Sequence, residues 1–155
     1  MATHYEKASE EVQKLFDSVL KTTSIPQWIE IELLSNNNQK QLHKINKFNN
    51  LVEKLTDGLN FAIIINEEIF EQLSGDMQKI AFVECLSGIS VSEKDTVSLE
   101  KPDFYTYTGV LQKYGHESII GLKETIKSFY DQKKQKEDAA KAAKKEKKVR
   151  KKKLY

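Results

Sequence analysis

The chain of 155 residues has one cysteine, two prolines, six glycines and three histidines. The single cysteine, Cys85, excludes an internal disulfide and any all-cysteine zinc site, and it fits a reducing compartment. No apolar run approaches the length needed to cross a bilayer. Met1 to Leu20 is polar with a helical pattern and lacks the continuous apolar segment of a signal peptide, so no membrane association is expected. Glycine-rich phosphate loops, a dinucleotide-binding fingerprint and a Ser-His-Asp arrangement are all missing.

Charge is plentiful but unevenly placed. The formal net charge is +2, yet Lys133 to Tyr155 holds twelve Lys or Arg against three acids, giving that segment +9 and the remainder −7. An acidic body with a basic tail is a two-part electrostatic object, and the tail is the part that seeks an anion.

Apolar spacing divides the rest. Val12, Leu15, Phe16, Val19 and Leu20 predict a helix over Tyr5–Leu20, broken by Pro26. Trp28–Leu34 alternates apolar and acidic residues, as a half-buried strand does. Leu42, Ile45, Phe48, Leu51, Val52 and Leu55 predict a second helix over Gln39–Leu55, ended by Asp57-Gly58. Leu59–Ile65 is a continuous apolar run suited to a central strand. Asn66 is placed to cap a short helix over Glu67–Leu73, and Ser74-Gly75 separates it from a helix over Asp76–Leu86.

Ile89–Leu99 reads as a hairpin turning at Glu93-Lys-Asp95, with Pro102 barring simple continuation. An aromatic stretch, Phe104–Tyr114, is stopped by Gly115. A last helical pattern runs from Glu117 to Tyr130. Beyond it the chain has good helix formers and no apolar face, so it should be a helical or disordered tail that frays alone in water. The expected core joins Phe61, Ile63 and Ile65 to Phe82 and Leu86. The organisation is thus an N-terminal helix (1–26), an α+β domain (27–131) and a Lys-rich tail (132–155).

The order of motifs from Leu55 to Gly115 resembles the putative phage metallopeptidase family, a small zincin-like group. Leu59–Asn66 is similar to its Asp-Phe strand, Glu67–Leu73 to its aromatic helix, and Met77–Ser87 to its His-Glu-x-x-His metal helix. Leu99–Phe104 is similar to its His-Asp third-ligand segment, and Val110–Gly115 to its closing Tyr-Gly helix. The resemblance implies a zincin-like α+β fold, with a short mixed sheet packed on helices and the basic extension after it.

In that family two imidazoles one helical turn apart bind zinc, and the glutamate between them is the general base. Here the ligand slots are Val83 and Ser87, the third is Pro102 beside Asp103, and only Glu84 keeps the family residue. Valine has no lone pair for a metal and a serine hydroxyl is a poor zinc ligand. The expectation is a vestigial site at Val83, Glu84, Ser87, Pro102 and Asp103, with no metal, no cofactor and no catalytic residue.

Other candidates read structurally. Glu84 is expected as a helix-surface or partly buried carboxylate, and Cys85 as a small core residue. His4, His43 and His116 are expected as scattered surface histidines, and Phe104, Tyr105 and Tyr107 as packing or a protein interface in preference to a base-stacking platform. The expected anion-binding residues are Lys141, Lys144, Lys145, Lys147, Lys148, Arg150, Lys151, Lys152 and Lys153. A solubilising tail or docking on an acidic protein surface are the other uses of that composition.

The functional expectation is a non-enzymatic phage structural protein, part of the virion as a ring, connector or tail-associated subunit. It would meet copies of itself and other virion proteins, with nonspecific DNA contact through the tail. It would reside in the virion, and in host cytoplasm during assembly. The alternatives are a nucleic-acid-binding accessory protein and an active hydrolase with an unrecognised site.

Overall fold

The computed structural model of the chain describes residues 5–56, 58–101 and 106–153. A four-stranded mixed sheet forms the centre of an α+β fold, with a separate two-stranded hairpin beside it. The sheet strands are β1 (Glu6–Lys7), β2 (Glu30–Ser35), β3 (His43–Lys47) and β4 (Leu59–Ile65), in spatial order β1-β2-β4-β3. β4 pairs parallel with β2 and antiparallel with β3. Its residues Asn60 to Ile65 are all buried. The apolar run Phe61–Ile65 suits such an interior strand, because neither face nor edge meets water.

The register decides which side chains face the helices. Ile63 lies opposite Leu33 on one side and Ile45 on the other. Strand alternation therefore puts His43, Ile45 and Lys47 on the same face as Phe61, Ile63 and Ile65. Helices α1 (Glu10–Thr22), α3 (Glu67–Phe70) and α4 (Gly75–Leu86) contribute to the core on that face. Phe82 of α4 meets Phe16 edge-on at 5.3 Å between ring centroids and Phe70 at 4.7 Å. The expected packing of Ile63, Ile65, Phe82 and Leu86 is present in one cluster. Phe61 is equally buried but lies outside it. The N-terminal helix adds Val12, Phe16 and Val19 to the same cluster.

Local signals explain the helix starts. Ser9, Asn49, Asn66 and Ser74 each accept a bond from the backbone N–H three residues on, satisfying an end that would otherwise be orphaned. Buried Asn66 also donates to the carbonyls of Asn37 and Gln39, tying the loop before β3 to the end of β4. Hairpin strands β5 (Ile89–Val91) and β6 (Val97–Leu99) turn where expected, with Asp95 in the left-handed region at φ 59°. Helix α5 (Thr108–Tyr114) ends at Gly115, whose φ of 83° favours glycine.

The helix expected over Gln39–Leu55 is a correction. Its first half is the edge strand β3, and only α2 (Asn50–Leu55) is helical. The ladder along β4 satisfies the backbone of residues 43–47 better than an isolated turn would, and Asn49 starts the helix late. Leu51 and Leu55, which carried part of the helical pattern, are exposed.

Helix α6 runs without a break from His116 to Lys153, 38 residues spanning about 57 Å. Ile119 and Leu122 enter the core. Tyr130 donates to the Gln39 carbonyl, and Lys133 reaches both the Asn37 carbonyl at 2.6 Å and the Glu68 carboxylate at 3.3 Å. From Lys134 to Arg150 every side chain is exposed. Lys133 therefore belongs to the body, and the basic extension beyond it is helical through Lys153. The docked turns remove the nucleation cost, so Ala and Lys need only propagate the helix.

Candidate functional site

Helix α4 carries the positions singled out in the sequence, and it divides them between two surroundings. Val83 and Ser87, one turn apart, line an open groove of about 430 Å³ with Ile25, Ile89, Tyr107 and Lys113. Glu84 is rotated by about 100° from Val83. It is 5 % exposed, so it is neither a surface nor a half-buried carboxylate.

Three groups from distant segments surround it. Thr106 donates its hydroxyl to Oε2 at 2.9 Å. The Lys123 ammonium, from α6, donates to Oε1 and forms the ion pair. His43, from β3, puts Nε2 at 3.9 Å from Oε1. A carboxylate withdrawn from water costs several kcal/mol unless charge and hydrogen bonds replace the lost solvation. Both oxygens of Glu84 are supplied in this way.

His43 is a second correction. It is not on a polar helix, and strand alternation turns it inward, with 25 % of its side chain exposed. Its pKa falls to about 4 because desolvation disfavours the imidazolium; the Glu84 charge opposes this and the Lys123 charge adds to it. The ring is neutral at pH 7. Sequence periodicity missed His43, Thr106 and Lys123. The one usable signal was Glu84 itself, an acid inside the apolar stretch Ile80–Leu86 that must find partners.

Cys85 is fully in the core, and burial pushes its thiol up to about 12, with the Glu84 charge adding to the rise. It is the small core residue expected. Tyr107 donates to the Glu100 carbonyl at 3.0 Å and packs on the core. The backbone approaches closely at Gly88, where a Cβ would lie 2.6 Å from the Tyr107 hydroxyl and 3.1 Å from the Glu100 carbonyl. His4, Pro102, Asp103, Phe104 and Tyr105 lie outside the described residues.

A family model for the putative phage metallopeptidases matches residues 3–134. The chain belongs to that family. No curated protein and no solved structure matches it. The family match stops one residue past Lys133, where α6 leaves the body, so the arm lies outside the matched residues.

The metal implied by the family name does not fit the residues present. Val83 offers no donor atom. The Ser87 hydroxyl turns back and donates to the Val83 carbonyl at 2.6 Å, as serine commonly does in helices. Glu84 Oε1 faces an ammonium, which would repel a divalent ion from the same oxygen. Among the described residues no group of three His, Cys, Asp or Glu could hold a metal ion.

The arm places Lys141, Lys144, Lys145, Lys147, Lys148 and Arg150 in solvent, and Lys151, Lys152 and Lys153 complete the helix. The α4 site is served by the docked half of α6, through Lys123. No helix among the described residues is long and apolar enough to cross a membrane.

Proposed function

We propose that this chain is a non-enzymatic phage structural protein that keeps the metallopeptidase fold as a building block. In this reading it is a virion component, such as a ring, connector or tail-associated subunit. It meets copies of itself and other virion proteins, and passes through host cytoplasm during assembly.

The observation that carries the reading is the environment of Glu84. A general base must reach a water that a metal or another electrophile has polarised. Glu84 instead accepts from Lys123 and Thr106 while the neighbouring ligand slots hold valine and serine. Such an arrangement stabilises a fold and does no proton transfer. A protein that works through its surfaces loses nothing by it.

The test is quantitative mass spectrometry on purified particles and on infected-cell lysate. The reading expects the chain in particles at a fixed ratio to other virion proteins. Abundance in lysate with none in washed particles would contradict it.

A further inference from the structure

The exposed arm has a facial charge pattern that the α4 site does not use. Lys141, Lys144, Lys145 and Lys148 stand at i, i+3, i+4 and i+7, so they share one face of α6. Ala139, Ala142, Ala143 and Glu146 fall on the opposite face with Arg150, while Glu137 and Asp138 adjoin the lysines only at the start of their face. The lysine pairs four apart repel one another along the helix, and an array of anions beside that face would relieve the repulsion.

The composition separates the possible anions. Protein interfaces draw on aromatic anchors and are poor in lysine at their centres. The arm's exposed large apolar residue is Val149 alone among those described. An interfacial membrane helix needs an apolar face of Trp, Phe or Leu, and the arm has none between 134 and 153. Single-stranded nucleic acid is held largely by base stacking on aromatic rings, and that stretch has no aromatic residue. A duplex phosphate backbone requires only closely spaced cations, which release condensed counterions on binding.

The rest of the molecule suits that partner. The remainder of the chain is acidic, at −7, and would be repelled by a polyanion that draws the arm. Tyr130 and Lys133 fix the base of the arm, which then extends clear of the body by about 30 Å.

We infer that the α6 face carrying Lys141, Lys144, Lys145 and Lys148 binds the phosphate backbone of double-stranded nucleic acid without sequence preference. This stands independently of how the α4 site is read. Phosphate contacts position a protein on a duplex and carry no base information, so sequence should not matter.

The experiment is fluorescence anisotropy with the full chain and labelled duplexes of about 20 base pairs, longer than the arm's reach. Between 50 and 200 mM salt, affinity should fall by roughly a hundred-fold or more, as at least four phosphate contacts require. Replacing Lys141, Lys144, Lys145 and Lys148 together by glutamine should remove most binding and lower the salt slope by about 3 to 4. The same four positions as arginine should retain it, with circular dichroism confirming an unchanged helix in both. Exchanging exposed Lys14, Lys21, Lys54 and Lys79 for glutamine makes the same change in net charge and should leave the slope unaltered. The inference is overturned by equal losses in the two glutamine variants, by no duplex binding at low salt, by equal or tighter binding of the separated single strand, or by preferential capture on phosphatidylserine vesicles.

Discussion

Lys123 and Glu84 form an ion pair across 39 positions of sequence, joining α6 to the helix that bears the family's catalytic position. The glutamate is buried while the lysine side chain keeps 39 % of its surface in solvent. The lysine neutralises a charge the core would otherwise not accept, and its partial exposure leaves the pair screened by solvent.

Lys123→Met should therefore destabilise the protein by about 1–3 kcal/mol, the cost of leaving a buried acceptor without its donor, below that of a fully buried pair because solvent screens this one. Lys123→Met with Glu84→Gln should cost less than the sum of the two single changes. Urea denaturation of the four proteins measures the coupling. Additive losses would show that the pair is not the unit described.

Acid should weaken the fold through His43. Its folded pKa, about 4, lies below the ordinary 6.5, so the unfolded chain takes up the proton first as pH falls. The stabilisation is complete above 6.5 and is lost between 6.5 and about 4, by roughly 2–4 kcal/mol. Replacing His43 with leucine should flatten this part of the stability profile. An identical slope in the variant would place the titration elsewhere.

Cys85 should not react with a thiol reagent in the native protein at pH 8. Burial withholds both access and the thiolate, since the thiol is pushed up to about 12. Labelling should appear only with unfolding, at a rate that follows the denaturant. Rapid stoichiometric labelling in buffer would contradict the core placement.

Gly88→Ala should destabilise the groove wall by about 1–3 kcal/mol, because the added methyl meets both the Tyr107 hydroxyl and the Glu100 carbonyl. Tyr107→Phe in the same background should recover part of the loss by removing the nearer atom. Thermal melts of the three proteins decide this. A neutral Gly88→Ala would mean that the hairpin and α5 yield freely.

Legibility in the sequence followed the range of the interaction. β4 was plain because Phe61–Ile65 form one apolar run, and α4 because the mostly apolar stretch Ile80–Leu86 follows the break at Ser74-Gly75. β3 was hidden because Leu42, Ile45 and Phe48 follow a three-residue spacing and break alternation, and pairing with β4 overrode that local pattern. The site was legible only on its local side. Glu84, Val83 and Ser87 lie on one helix, whereas Thr106 and Lys123 reach Glu84 from 22 and 39 residues away. No spacing rule spans such distances. The arm's charge was evident from composition, but the docking of Tyr130 and Lys133 on the loop around Asn37 and Gln39 spans more than 90 residues and no local pattern shows it.

Zinc content tests the central claim most directly, namely that Val83, Ser87 and the Lys123-neutralised Glu84 form a helix that does not serve a metal. The full chain is produced in zinc-supplemented medium, passed through a chelating column and assayed by elemental analysis beside its thermal midpoint. The account predicts zinc far below one per chain and an unchanged midpoint on adding zinc afterwards. Retention of about one zinc per chain, with a midpoint that rises with the metal, would contradict it.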